Sequence, residues 1–313
     1  MLESRSSFMT ANLAIEKALT EPVTISKART DEEHNEQARV IRNGLAVVLF
    51  ATLESFARSR IGDVLNRLST SSIPFDDLPQ DLRTACVFKA SRAIAYQAGL
   101  RRRRGEDYVA FVQKQCATIG STATAGYCLC PLSLLWETPN LGPEDLKQAL
   151  RVFGVKDGWG QIDELAQRIG VTSLSHREAF ARAAARRHEA AHSADAQTEW
   201  AHLNDFVCQA RGIAVGLDAL LSVALRYLIR RDARMLSGQR EIVASDVQMR
   251  FLDGSSDGYW RERDEATGHV LRKLKDRDAL HAECMARRTS RDRLILVRDA
   301  RSFPLAWYTP FAD

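Results

Sequence analysis

The sequence predicts a mainly α-helical protein, a helical bundle with a small C-terminal α+β or strand-bearing tail. Three observations predict it. Apolar residues recur at three- and four-residue spacing through two long stretches, 31–68 and 198–232. Shorter periodic segments between them are closed by Gly105, Gly120, Gly154 and Gly170. After Gly238 the texture changes to compact apolar runs of strand length. The chain divides accordingly into an N-terminal segment 1–30, a helical region 31–238 and a C-terminal extension 239–313.

In chain order, a short helix is expected around Ala11–Leu19, ahead of Glu21-Pro22. Thr30 or Asp31 can cap a long helix that runs to about Leu68, with Glu32 and Glu33 at its positive end. Ile41, Leu45, Val48, Phe56 and Leu65 form its stripe, widened by Val47, Leu49, Phe50 and Leu53. A helix apolar on several sides belongs in the middle of a bundle. Glu54 falls inside this apolar run, where it is either solvated or a buried partner for an arginine. Further helices are expected over about 81–97, 106–118, 143–153 and 161–169, separated by a turn-rich stretch at 120–141. Ser173 or Ser175 can cap the next helix, which ends near Ser193–Ala196. A strongly amphipathic helix begins near Thr198 and ends in Arg230, Arg231 and Arg234. In the tail, Ile242–Phe251 and Asp292–Arg298 read as strands and Asp276–Arg288 as a helix.

Composition bounds the function. Hydrophobic residues make up 45% of the 313 residues, enough for a substantial core. The net charge is only +4, so a nucleic-acid partner has to be met by a local patch. Arg101, Arg102, Arg103 and Arg104 offer one, as either a solvated helix end or an RNA-phosphate contact. The six cysteines are scattered and read as free thiols, with Cys128-Leu129-Cys130 not a zinc or redox spacing. The N-terminus has no apolar signal region, and the most apolar stretch, Leu45–Leu53, is about half a bilayer span. A cytoplasmic protein without a membrane segment is expected.

The chemistry concentrates in Arg186-Arg187-His188-Glu189-Ala190-Ala191-His192. One pattern in it is His188-Glu189-x-x-His192, a helical zinc pair with a general base. A zinc site needs a third ligand, and the chain has Asp195 and Thr198 where the metzincin extension needs Gly and His. Arg186 and Arg187, directly ahead, oppose a dication. The other pattern is Arg187-His188-x-x-x-His192. Here a histidine moves the proton of an RNA 2′-OH or of the leaving 5′-oxygen, and an arginine stabilises the developing charge without metal. Arg187 and His192 are five residues apart, about 140° around an ideal helix. Either the helix breaks near Ala190–Ser193 or the pair meets across a two-fold dimer.

The Arg187-His188-x-x-x-His192 pattern resembles the Arg-polar-x-x-x-His motif of the HEPN superfamily. Gly44 to Phe56, with its Leu53-Glu54 pair, resembles the first long HEPN helix. The run Glu144-Asp145-Leu146 to Val152-Phe153-Gly154, with Trp159 and Leu165, is similar to the segment ahead of the motif in RiboL-PSP-type HEPN proteins. The resemblance covers roughly residues 31–235. Ser193 stands where many relatives have Gly, and His188 where Asn is more usual. The resemblance implies a HEPN-type bundle that dimerises through its motif helices into a composite active site. It implies a metal-independent endoribonuclease of a bacterial toxin–antitoxin, antiphage or RNA-processing system, with an antitoxin or defence-complex protein as partner and no cofactor. It assigns Arg187 and His192 as the catalytic pair, His188 as the orienting residue, Glu54 as the group that holds Arg187, and Arg186 as support. Some members of the family are non-catalytic RNA- or partner-binding modules.

Overall fold

The computed structural model describes residues 3–287 and 292–309. The expected mainly α fold with a strand-bearing tail is what it shows. Two long helices form the axis. Helix α2 (Glu32–Ser69) spans 38 residues and α9 (Trp200–Ile229) spans 30. Helix α1 (Glu3–Leu19) packs on both and is longer than the sequence suggested, burying Phe8, Met9, Ile15 and Leu19. Asp31 takes the N-cap position of α2 without a side-chain cap bond.

Helix α3 (Gln80–Thr84) passes through a π-helical turn, Ala85–Lys89, into α4 (Ala90–Arg103). Helix α5 (Tyr108–Gly120), capped by Asp107, lies on α4. Ala90, Ile94 and Cys130 give these two helices a small core of their own. Helices α6 (Pro143–Val152), α7 (Gly158–Arg168) and α8 (His176–His192) then return to the axis. Gly216 of α9 fits against Ile162 of α7, where an added Cβ would come within 3.3 Å of three atoms. A single turn, α10 (Ala233–Leu236), follows α9.

Two helices, α2 and α9, are long and apolar enough to cross a membrane by length and composition. The apolar window of α9 exceeds the Leu45–Leu53 stretch that the sequence singled out. That window is 89% buried inside the protein, so α9 is the core helix of the bundle.

The tail carries a five-stranded sheet in the order β3-β2-β1-β4-β5. Its strands are β1 (Gln248–Gly254), β2 (Trp260–Asp264), β3 (Val270–Leu274), β4 (Arg293–Arg298) and β5 (Pro304–Tyr308). Strands β1 and β4 pair in parallel, Phe251 opposite Leu296, and the other pairs are antiparallel. Helix α11 (Arg277–Ala286) lies in the connection between the parallel strands. Side chains alternate between faces along each strand. Met249, Phe251, Leu294, Leu296 and Trp307 enter the core of the bundle, while Leu252, Ile295 and Val297 meet Leu280 and Cys284 of α11. The boundaries read at 30 and 238 therefore mark changes of texture, and the segments on both sides share one core. The stretch Ile242–Val247, expected as strand, is a coil with a 3-10 turn at Ala244–Asp246.

One charged network crosses this core. Asp218 of α9 is fully buried and pairs with Arg5 of α1 and Arg60 of α2. Trp307 Nε1 of β5 donates to the same carboxylate at 2.5 Å, and Arg5 also donates to Thr309. Burial opposes ionisation of Asp218, but the two guanidiniums outweigh it and hold the carboxyl well below the usual range.

Candidate functional site

Helix α8 forms because Ser175 caps it, accepting from the Glu178 N–H, and because alanines fill its middle. Glu178 sits in the first turn, where a negative charge suits the helix dipole. Its inward stripe is Ala179, Phe180 and Ala183, with the Phe180 ring 5.0 Å from Phe50 of α2 and 5.6 Å from Trp159 of α7. His176 fixes the start. Its backbone N–H donates to Asp163 Oδ1 at 2.8 Å, and its buried ring bonds the same oxygen through Nδ1 at 2.6 Å.

The helix continues without interruption through the whole motif and stops at His192, after which Ser193 is extended. The expected break thus falls after the pair, too late to turn Arg187 and His192 toward each other. Arg187 lies one turn beyond Ala183 on the inward flank and is half-buried. Its Nε is buried without a hydrogen-bond partner, and no ion pair reaches it among the described residues. His188, Glu189 and His192 are exposed. The His188 and His192 rings lie with centroids 4.7 Å apart and planes tilted by 54°, the consequence of i,i+4 spacing. Arg187 and His192 point about 140° apart. A single chain therefore brings the two histidines together and leaves the arginine on another side.

Arg186 is half-buried next to Arg182. Burial and the like charge of Arg182 pull its pKa down, and Asp205 of α9 opposes them. Among the described residues, no group of three or more His, Cys, Asp or Glu side chains is arranged to hold a metal ion.

Glu54 departs from its expected role. It is buried, but its Oε1 accepts from the Leu141 N–H at 2.6 Å and ties down the turn-rich 120–141 segment. The register of the two helices explains the difference. Phe50 meets Phe180 and Arg39 meets Ala194, so α2 and α8 run antiparallel. Arg187 is then level with the α2 segment near 45, and Glu54 lies about 13 Å farther along the axis.

Arg101, Arg102, Arg103 and Arg104 end α4, at the tip of the α4–α5 hairpin. Arg101 donates to Glu106 at 2.6 Å and covers the Phe111 ring at 4.4 Å, while Arg102, Arg103 and Arg104 are exposed. This tip belongs to the separate α4–α5 core, away from the packing that holds α8.

Sequence reading missed the residues that hold the end of α8. Arg39, Arg42 and Asn43 of α2 reach the backbone at 194–198, which directly follows His192. No local signal marks them, because a polar residue on a long helix looks the same whether it faces water or a distant carbonyl. No family model, no curated protein and no solved structure matches this chain.

Proposed function

We propose that the protein is a metal-independent endoribonuclease of HEPN type that works as a dimer in the cytoplasm, within a toxin–antitoxin or antiphage defence system. The observation that carries the reading is the end of α8. It carries a half-buried guanidinium without a carboxylate partner and, on another side, two exposed imidazoles one turn apart. A buried polar group left unpaired in a folded protein calls for an explanation, and an incoming phosphate supplies one.

In this reading RNA brings its own nucleophile. One histidine accepts the 2′-OH proton as that oxygen attacks phosphorus, and the 5′-oxygen leaves with a proton from a general acid. The products are a 2′,3′-cyclic phosphate and a 5′-OH. His192 is the acid or base, His188 orients it, and Arg187 stabilises the charge on the phosphorane-like transition state. Arg186 adds positive potential, and the exposed Arg102, Arg103 and Arg104 contact the RNA backbone. Because Arg187 and His192 diverge on one helix, the working pair is drawn from two protomers around a two-fold axis.

The test is cleavage of a defined RNA by purified protein in EDTA, with Arg187→Ala and His192→Ala as comparisons. Cleavage in the wild type and none in either variant supports the reading. A requirement for added zinc overturns it in favour of a hydrolase built on His188-Glu189-x-x-His192. Binding without cleavage makes the protein a non-catalytic module.

A further inference from the structure

The last residue of a helix is the least constrained, because the final four carbonyls have no partners within the helix. His192 occupies that position in α8. The segment after His192 is nevertheless held at five points by three side chains of α2. Arg39 Nη1 donates to the carbonyls of Ala194 at 2.5 Å and Ala196 at 3.2 Å. Asn43 donates to Ala196 O at 2.8 Å and accepts from the Thr198 N–H at 3.2 Å. Arg42 Nε donates to Thr198 O at 2.7 Å.

Arg39 is itself locked. Both oxygens of Glu36, one turn earlier, accept from its guanidinium, in the fork geometry that fixes an arginine plane. Arg42 is anchored from its far side by Thr24 O at 2.9 Å and Ser26 Oγ at 3.1 Å. Ala196 and Thr198 are buried, so their backbone groups need protein partners, whereas Ala194 is exposed where water can satisfy a carbonyl, and Arg39 bonds it nonetheless. The clamp bonds nothing in the motif directly. Arg39 acts on the carbonyls of Ala194 and Ala196, two and four residues past the point where α8 stops.

We propose that Arg39 is a positioning residue. Resting on the ribonuclease reading, it fixes His192 at the last helical position, so that the imidazole is presented to the partner protomer in one orientation. Glu36 sets the plane of the Arg39 guanidinium, and Asn43 closes the next carbonyl. The catalytic histidine is thereby held from outside its own helix.

The test uses full-length Arg39→Ala and Arg39→Lys, with three measurements. Steady-state RNA cleavage should show kcat about 10- to 100-fold lower in Arg39→Ala with KM within about twofold, as misorientation of a catalytic group predicts. Arg39→Lys, which can reach one carbonyl but cannot fork to Glu36, should recover part of kcat. Amide exchange at 189–196 should quicken about tenfold in Arg39→Ala while exchange in the middle of α9 stays unchanged. Unaltered kcat, or kcat lost only together with KM and thermal stability, overturns the proposal. So does unchanged exchange at 189–196. A wild type that leaves RNA intact overturns the ribonuclease reading instead, and the exchange measurement then decides by itself whether Arg39 holds this helix end.

Discussion

The His188 and His192 rings meet at a tilt, centroids 4.7 Å apart and one turn from each other, on an unbroken helix whose Arg187 faces another side. Two imidazoles thus converge in one chain, and the cation that the proposed chemistry requires does not join them. The divergence comes from helix geometry alone, and it makes the assembly testable.

Mixing two inactive variants should restore activity. In a heterodimer of Arg187→Ala with His192→Ala, one of the two composite sites keeps both residues. Random exchange makes about half the dimers mixed, so about a quarter of the wild-type rate should return. Cleavage that stays at the background of either variant alone would instead mean a pair acting within one protomer.

Glu189 separates the two chemistries of the motif. It is exposed on α8. Glu189→Gln should leave ribonuclease kcat within about threefold, because no step asks it for a proton. A loss of a hundredfold or more, matched by zinc-dependent hydrolysis in the wild type, would mark it as a general base.

Glu54→Ala should weaken the fold and spare the chemistry. The substitution leaves the Leu141 N–H buried without its acceptor, which costs about 1–3 kcal/mol. Urea unfolding should report that loss, with cleavage at saturating RNA unchanged below the transition. Abolished cleavage at wild-type stability would return Glu54 to the role of holding Arg187.

Asp218→Asn should be far more damaging. It removes the carboxylate that the buried Arg60 and Arg5 share, a loss of about 3–5 kcal/mol. The pH dependence comes from the sign of the shift. The folded pKa of Asp218 is depressed by Arg5 and Arg60 against the opposing effect of burial. Its stabilisation is therefore complete above the unfolded value of about 4 and is lost as pH falls through the lower folded value. Acid unfolding of the wild type should steepen below about pH 4, and Asp218→Asn should lack that component in thermal melts taken across the range.

The long helices were legible because their periodicity is long. The apolar stripes of α2 and α9 extend over enough turns for one face to emerge from the residue pattern. Strand β2 was not, because it inverts the usual alternation. Its buried positions are Glu262 and Asp264, which pair with Arg250, Arg287 and Arg293. A run such as Trp260-Arg261-Glu262-Arg263-Asp264 therefore reads as surface while half of it is interior. Ile242 misled in the other direction. It is apolar and buried, but its N–H bonds to Gly154 O and belongs to a coil.

Within the candidate site, the cluster of Arg187, His188 and His192 was legible and its scaffold was not. Residue types and spacing singled out Arg187, His188 and His192, since those depend on neighbours in the chain. The partner of Glu54 and the Arg39 clamp depend on where two helices cross, which no local pattern encodes.

The Asp218 carboxylate gathers groups from residue 5 to residue 307, and Arg5 reaches on to Thr309. During synthesis Arg5 and Arg60 leave the ribosome long before either partner exists. The α8 motif, too, emerges ahead of β5, which packs on α1. Contacts of such sequence separation form late and slowly. A growing chain thus carries the α8 motif on an unfinished frame, and the Asp218 network closes only after β5 has been made.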